Sequence, residues 1–197
     1  TGNIGVPNLD AISGTLGFVD GNKELELSNK AIPLLNVKPA NPDALVGTLE
    51  LWLPAVTAVV RREAPDGAGG TEILLTLRAD NGEWAPVTGI LDPGEEPAVG
   101  AAREALEETG VVVSVDRLAS VSSSPQVVHG NGDLGIYLDL TFDCSWVSGE
   151  ARVNDDENVD VRWWPADALP PMSDWLRERI DDVLAGETAA RFRRGPS

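Results

Sequence analysis

Cysteine and histidine each occur once in this chain of 197 residues, as Cys144 and His129. A single cysteine closes no intramolecular disulfide, and the two residues together cannot complete a four-ligand Cys/His zinc centre. Any metal must therefore be held by oxygen. Basic residues are also scarce: 15 Lys and Arg against 32 Asp and Glu leave a net charge of -17. A field of that sign repels phosphate backbones and anionic membrane surfaces, so neither a nucleic-acid polymer nor a membrane is an expected partner. No run reaches the roughly 18 apolar residues of a membrane span. The opening residues lack a charged n-region followed by an apolar h-region, and the expectation is a cytoplasmic protein. No G-x-S-x-G occurs, which removes the nucleophile elbow of a Ser-His-Asp hydrolase.

What is present describes a folded chain with an extra arm. Residues 1–54 carry scattered Gly and Pro, with Pro33, Pro39 and Pro42 blocking continuous helix. Residues 11–19 and 23–27 flank Asp20-Gly21, which suits a tight hairpin. Ile32, Leu34, Leu35, Leu49, Leu51 and Trp52 are expected to pack on the main domain or on a second subunit. Residues 55–190 form that domain, and 191–197 a basic tail. Strands are expected at 56–60 and 73–77, paired across the turn-prone segment 65–70, with a short strand at 84–87. Pro97 to Thr109 reads as a helix opened by proline and closed by Gly110. Residues 111–115 are β-rich. Ile136, Leu138, Leu140 and Phe142 alternate with Tyr137, Asp139, Thr141 and Asp143, the pattern of a half-buried strand, and Val159, Val161 and Trp163 repeat it. A last helix runs from about Ser173, its N-cap, to Gly186, with Met172, Trp175, Leu176, Ile180, Val183 and Leu184 on one face. The order argues an α/β fold, a mixed sheet between helices.

The densest acidic cluster is on the first helix, where Glu104, Glu107 and Glu108 stand at i, i+3 and i+4 and project from one face. Taken alone, such a cluster reads first as a solvated acidic face. Its setting is more specific. Five residues separate Gly89 from Glu95, and seven separate Glu95 from Arg103. With Arg103-Glu104, Glu107-Glu108, Gly110 and Val111, the stretch resembles the Nudix box, G-x5-E-x7-R-E-U-x-E-E-x-G-U, where U is a bulky apolar residue. Ala105 is smaller than the usual U residue, a departure that touches packing and leaves the acidic positions intact. The resemblance implies a Nudix-type α/β/α sandwich. It also implies metal-dependent hydrolysis of a nucleoside diphosphate linked to another moiety, either a nucleoside triphosphate or an ADP-ribose-like compound. Glu104, Glu107 and Glu108 would then form an oxygen platform for Mg2+ or Mn2+, hard cations that bridge carboxylates to substrate phosphates. Arg103 would orient a carboxylate, and Glu95 would hold Arg103.

Outside the box, Asn154-Asp155-Asp156-Glu157 precedes a strand. Glu157 is the expected catalytic base, with Glu104, Asp155 and Asp156 as competitors. Gly89 and Gly94 are expected to let a loop turn, and Gly100, Ala101 and Ala102 to permit close helix packing. Pro125 stands near the position of an ADP-ribose-type proline marker in the family. His129 lies in a loop-like stretch, Cys144 is structural, and the six tryptophans mainly serve packing. The rival function is a Nudix-fold nucleotide-binding or regulatory module without turnover, which an intact acidic box disfavours. An isopentenyl diphosphate isomerase on the same fold would need an active cysteine motif that Cys144 does not supply. Homodimer formation is left open.

Overall fold

The structure is a computed structural model and describes residues 50–65, 67, 69–128 and 134–192. The expected hairpin, the apolar residues of the arm as far as Leu49, His129 and the tail from residue 193 lie outside the described residues. The elements run β1 (Glu50–Glu63), β2 (Thr71–Arg78), β3 (Trp84–Ala85), β4 (Val87–Ile90), α1 (Pro97–Thr109), β5 (Val112–Ser123), β6 (Val127–Val128), β7 (Leu134–Ser148), β8 (Asn158–Pro165), α2 (Asp174–Leu184) and β9 (Arg191–Phe192). Residues 50–54, placed in the arm from sequence, open β1.

The strands form one mixed sheet whose main path is β3-β2-β1-β7-β5-β9. The β-branched run 56–60 is a strand as expected, but its partners differ. Along one edge β1 runs parallel to β7, with Val56 opposite Leu140 and Val60 opposite Cys144. On the other edge β4 takes Ala55 to Ala58, and β2 meets β1 only at Arg61, Arg62 and Glu63. The Ala64 N–H donates to the Gly70 carbonyl where β1 and β2 part, and β4 occupies the edge that β2 has left.

Alternation along β1 and β2 sends neighbouring residues to opposite faces. Val56, Ala58, Val60 and Leu74 pack with Ala101 and Ala105 of α1. Val59, Ile73 and Leu75 pack with Ile180 and Val183 of α2. The result is an α/β/α arrangement of the expected class. Ala105, small for its box position, is fully buried, so the short side chain lets the helix sit close to the sheet.

Two helices on two faces also correct the reading of β7. Asp139, Thr141 and Asp143 are buried rather than solvated, because α2 covers the polar face. Thr57 and Thr141 donate hydroxyl hydrogen bonds to Asp139 at 2.7 and 2.8 Å, and the buried Arg179 guanidinium approaches it at 3.2 Å. Arg179 sits on the apolar stripe of α2 beside Leu176 and Ile180, and its charge lies over the Trp175 ring. Removing one partner of a buried pair strands the other charge, at a cost of about 3–5 kcal/mol. Asp139→Ala is therefore expected to lower Tm by roughly 10 °C in a thermal melt. A change below about 2 °C would remove the pair from the stability of the fold.

The pattern in β8 is corrected as well. A β-bulge between Leu77 and Arg78 pairs Leu77 with Asp160 and Arg78 with Asn158. The extra residue turns Val159 outward, 60% exposed, and brings Asn158 inward, 5% exposed. At the start of α2, Ser173 occupies the N-cap position, yet its side chain makes no cap bond. Its backbone N–H is instead held by the Glu83 carboxylate at 2.5 Å.

Candidate active site

Helix α1 carries the site, and both of its ends are punctuated as expected. Pro97 occupies the first turn, and Gly110 at φ +71° donates its N–H to the Leu106 carbonyl. Gly94, at φ +84°, makes the left-handed turn in the preceding loop that a side chain would strain. The buried face of the helix is built from Gly100, Ala101, Ala105 and Thr109. A Cβ on Gly100 would collide with Leu91 Cδ2, so close packing is its role.

The three glutamates do not share one environment. The Glu107 side chain is 55% exposed and that of Glu104 13%, while Glu108 as a residue is only 4% exposed. Arg103 ties much of this face together. Its Nε and one terminal nitrogen donate to the two oxygens of Glu95, both at 2.8 Å, and its other terminal nitrogen donates to Glu104 at 2.8 Å and Glu107 at 3.0 Å. Glu95 also accepts the Asp92 N–H at 3.1 Å. The Arg103 hydrogen bonds hold the Glu95 carboxyl below the usual carboxylate range. Glu95 thus holds the arginine, and the arginine in turn restrains Glu104 and Glu107.

Gly89 has a different role from the turn expected of it. It lies within β4, and a Cβ there would overlap Cγ, Cδ and Oε1 of Glu104. The missing side chain is the space that Glu104 occupies. Because the obstructed group is the end of a flexible side chain, Gly89→Ala is expected to displace Glu104 more than it unfolds the protein. The expected result is a loss of turnover of roughly 10- to 100-fold with Tm nearly unchanged. Wild-type turnover in this variant would show that the position of Glu104 is not set by Gly89.

Glu108 faces inward, and burial pushes its carboxyl up to about 8, with the charges of Glu104, Asp155 and Glu157 adding to the rise. The opposing influence is a hydrogen bond of 3.0 Å from the Asn158 side-chain amide. The same amide nitrogen reaches Asp155 Oδ1 at 3.3 Å. The loop bearing Asp155 is fastened to the end of α1. Arg152 N–H donates to Thr109 O and Asn154 N–H to Glu108 O, while the Asn154 amide reaches the carbonyls of Leu106 and Glu107. These bonds satisfy the carbonyls that every helix leaves unpaired at its C-terminus.

Glu157, the expected base, therefore sits in the electrostatic neighbourhood of Glu108. Its N–H donates to Asp155 Oδ1 at 3.2 Å and its carbonyl accepts the Ala79 N–H at 2.8 Å. Asp156 is exposed. Asn154, Asn158 and Arg78 also belong to this neighbourhood, none of them expected there from the sequence. Arg78 is held by Asp80 through two bonds of 3.0 and 2.9 Å, and it senses the charges of Glu108 and Glu157. The available signal was the pair of asparagines bracketing the acidic run.

Among the described residues, no three His, Cys, Asp or Glu side chains converge as a ready-made metal-holding group. Arg103 engages one oxygen of each of Glu104 and Glu107. The donor chemistry nonetheless fits a hard divalent cation: the ligand candidates are all carboxylates, and Glu108 is a buried carboxylate surrounded by like charge. Elsewhere, the Cys144 thiol is pushed up to about 12 by burial, in keeping with a packing role. Pro125 is exposed, with its carbonyl bonded by the Ser124 hydroxyl. Two open clefts, one lined by Ser120, Asp182 and Arg191 and the other by Arg61, Arg62 and Trp146, include none of the α1 carboxylates. No helix among the described residues is long and apolar enough to cross a membrane.

The model of the NUDIX domain family matches residues 52–184. Among individual proteins, a MutT-like protein of Streptomyces ambofaciens is 36% identical over 133 residues, covering 67% of this chain and 77% of its own length. The NAD-capped RNA hydrolase NudC of Pseudomonas aeruginosa is 33% identical over 126 residues, covering 61% of this chain and 42% of its own. The chain thus spans under half the length of that relative. The crystal structure of an ADP-ribose pyrophosphatase from Streptococcus suis superposes with a TM-score of 0.52 at 20% identity, over 72% of this chain and 97% of that one, a likeness of fold.

Proposed function

The chain belongs to the Nudix hydrolase family, and from that premise we propose that it is a divalent-metal-dependent pyrophosphohydrolase. It is a hydrolase acting on phosphoanhydride bonds. Its substrate is a nucleoside diphosphate linked to another moiety, either a nucleoside triphosphate or an ADP-ribose-like compound. The observation that carries this reading is the gathering of Glu104, Glu108, Asp155 and Glu157 in one neighbourhood, where Glu108 is buried and its side-chain bond comes from the neutral Asn158 amide.

Glu104, Glu107 and Glu108 would hold Mg2+ or Mn2+. When bound, such an ion neutralises pyrophosphate charge and activates or orients the attacking water. Arg103, anchored on Glu95, sets the rotamers of Glu104 and Glu107. Gly89 supplies the room for Glu104, and Gly110 ends the helix where the loop from Arg152 can dock. Glu157, carried by that loop, takes the proton from water. Local cations also let a strongly acidic protein receive an acidic substrate.

The test is a panel of nucleoside triphosphates, ADP-ribose, dinucleotides including NAD, nucleotide sugars and a short NAD-capped RNA, each with Mg2+ or Mn2+. Release of a nucleoside monophosphate together with the matching phosphorylated fragment or pyrophosphate is the expected pattern. The capped RNA belongs in the panel because of the name that the NudC relative carries. Tight nucleotide binding without hydrolysis of any member would assign the protein to the regulatory class instead.

A further inference from the structure

Helix α1 and the loop from Arg152 to Glu157 are joined by two asparagines with different tasks. Asn154 serves the backbone, closing the last carbonyls of α1. Asn158 serves the side chains, because its Nδ2 lies between Glu108 Oε2 at 3.0 Å and Asp155 Oδ1 at 3.3 Å. Only the nitrogen end of an amide can face two carboxylate oxygens, so this network determines its orientation. The β-bulge opposite Arg78 is what turns Asn158 inward in place of Val159. Without the extra residue, strand alternation would send Val159 toward Glu108 and leave the amide in solvent.

We propose that Asn158 is a positioning residue of the reaction: its amide fixes the Glu108 carboxylate in one rotamer by binding Oε2, which leaves Oε1 for the metal. The inference rests on the metal-dependent reaction proposed above. Like charges at Glu104, Asp155 and Glu157 press on Glu108, and a glutamate has three rotatable bonds with which to avoid them. A neutral donor holds the carboxylate in place without cancelling its charge. An arginine or lysine at this position would also hold it, but would compete with the cation for the same negative charge. Outer partners that orient a ligand in this way typically contribute 10- to 100-fold to metal affinity.

Mn2+ binding, followed by loss of the free-ion paramagnetic resonance signal, tests the assignment without turnover. The proteins are the wild type, Asn158→Ala, Glu108→Gln and the double variant, each checked for a cooperative melt. Wild type should bind Mn2+, and Asn158→Ala should raise the Kd about 10-fold or more. The double variant should bind no more than about 2-fold more weakly than Glu108→Gln alone, because Asn158 acts through Glu108. A Kd for Asn158→Ala within 2-fold of wild type would overturn the inference, as would an equal loss in both backgrounds. If wild type itself fails to bind Mn2+, the metal-dependent reading falls and this inference with it. Should Asn158→Ala fail to fold, Asn158→Ser removes the same amide and is judged by the same limits.

Discussion

Glu108→Gln and Glu107→Gln proteins are expected to fold and to lose metal-dependent turnover by about 100-fold or more, equivalent to about 2.7 kcal/mol of transition-state stabilisation. Helix propensity hardly changes between glutamate and glutamine, so the helix itself gives no reason for unfolding. Glu108→Gln should in addition change how stability depends on pH. The Glu108 carboxyl is pushed up to about 8 in the folded protein, against about 4.3 for an unperturbed glutamate. The folded state therefore binds more protons than the unfolded one between these values, and metal-free wild type loses stability as pH rises through that window. The full shift corresponds to roughly 5 kcal/mol as an upper limit. Glu108→Gln removes this penalty, so it should melt above metal-free wild type at pH 8 and close to it at pH 4.5. Mg2+ should raise the Tm of wild type at pH 8 far more than that of Glu108→Gln. Wild-type rates in either variant at limiting Mg2+ would sink the assignment of that residue as a ligand.

The contrast between the two glutamates shows how much of the site could be read from sequence. The spacing of Glu104, Glu107 and Glu108 identified the helix face, and Pro97 and Gly110 marked its ends, because local chemistry sets those features. Spacing alone carries no information about depth, which depends on what packs above the helix. That covering segment is Arg152 to Asn158, distant along the chain and joined to α1 through the helix's own backbone carbonyls, with the Asn154 amide as the one side chain that reaches them in the bonds described. The inward turn of Asn158 depends on a bulge, and one extra residue inverts the alternation on which strand reading relies.

The sheet tells the same story. The strand at residues 56–60 was legible from its β-branched run, but its parallel union with β7 was not, since parallel pairing joins segments far apart in sequence. The polar residues of β7 suggested a solvated face. They are buried because Arg179 of α2 pairs with Asp139, Thr57 and Thr141 complete its hydrogen bonds, and Arg61 and Arg117 hold Asp143. An arginine within an apolar helical stripe was the only sequence sign of that pairing.

The second large effect concerns the proton that water must surrender when it attacks phosphorus. A carboxylate that binds metal has less basicity to offer, so a nearby acid outside the metal platform is the better acceptor. Glu157 meets that condition: its loop is anchored to α1 by Arg152 and Asn154, and its charge is felt at Glu108. Asp155 is drawn instead into bonds with Asn158 and the Glu157 N–H, which favour an orienting role over proton transfer. Under saturating metal, Glu157→Gln should lower kcat by about 100-fold and abolish the acidic limb of the pH-rate profile. The Mn2+ Kd should stay close to wild type, because Glu157 is outside the platform of Glu104, Glu107 and Glu108. A reduced rate with an intact acidic limb would make Glu157 a positioning group rather than the base. A near-normal rate and profile would return the role to Glu104, whose place beside Gly89 and Arg103 makes it the next carboxylate to test.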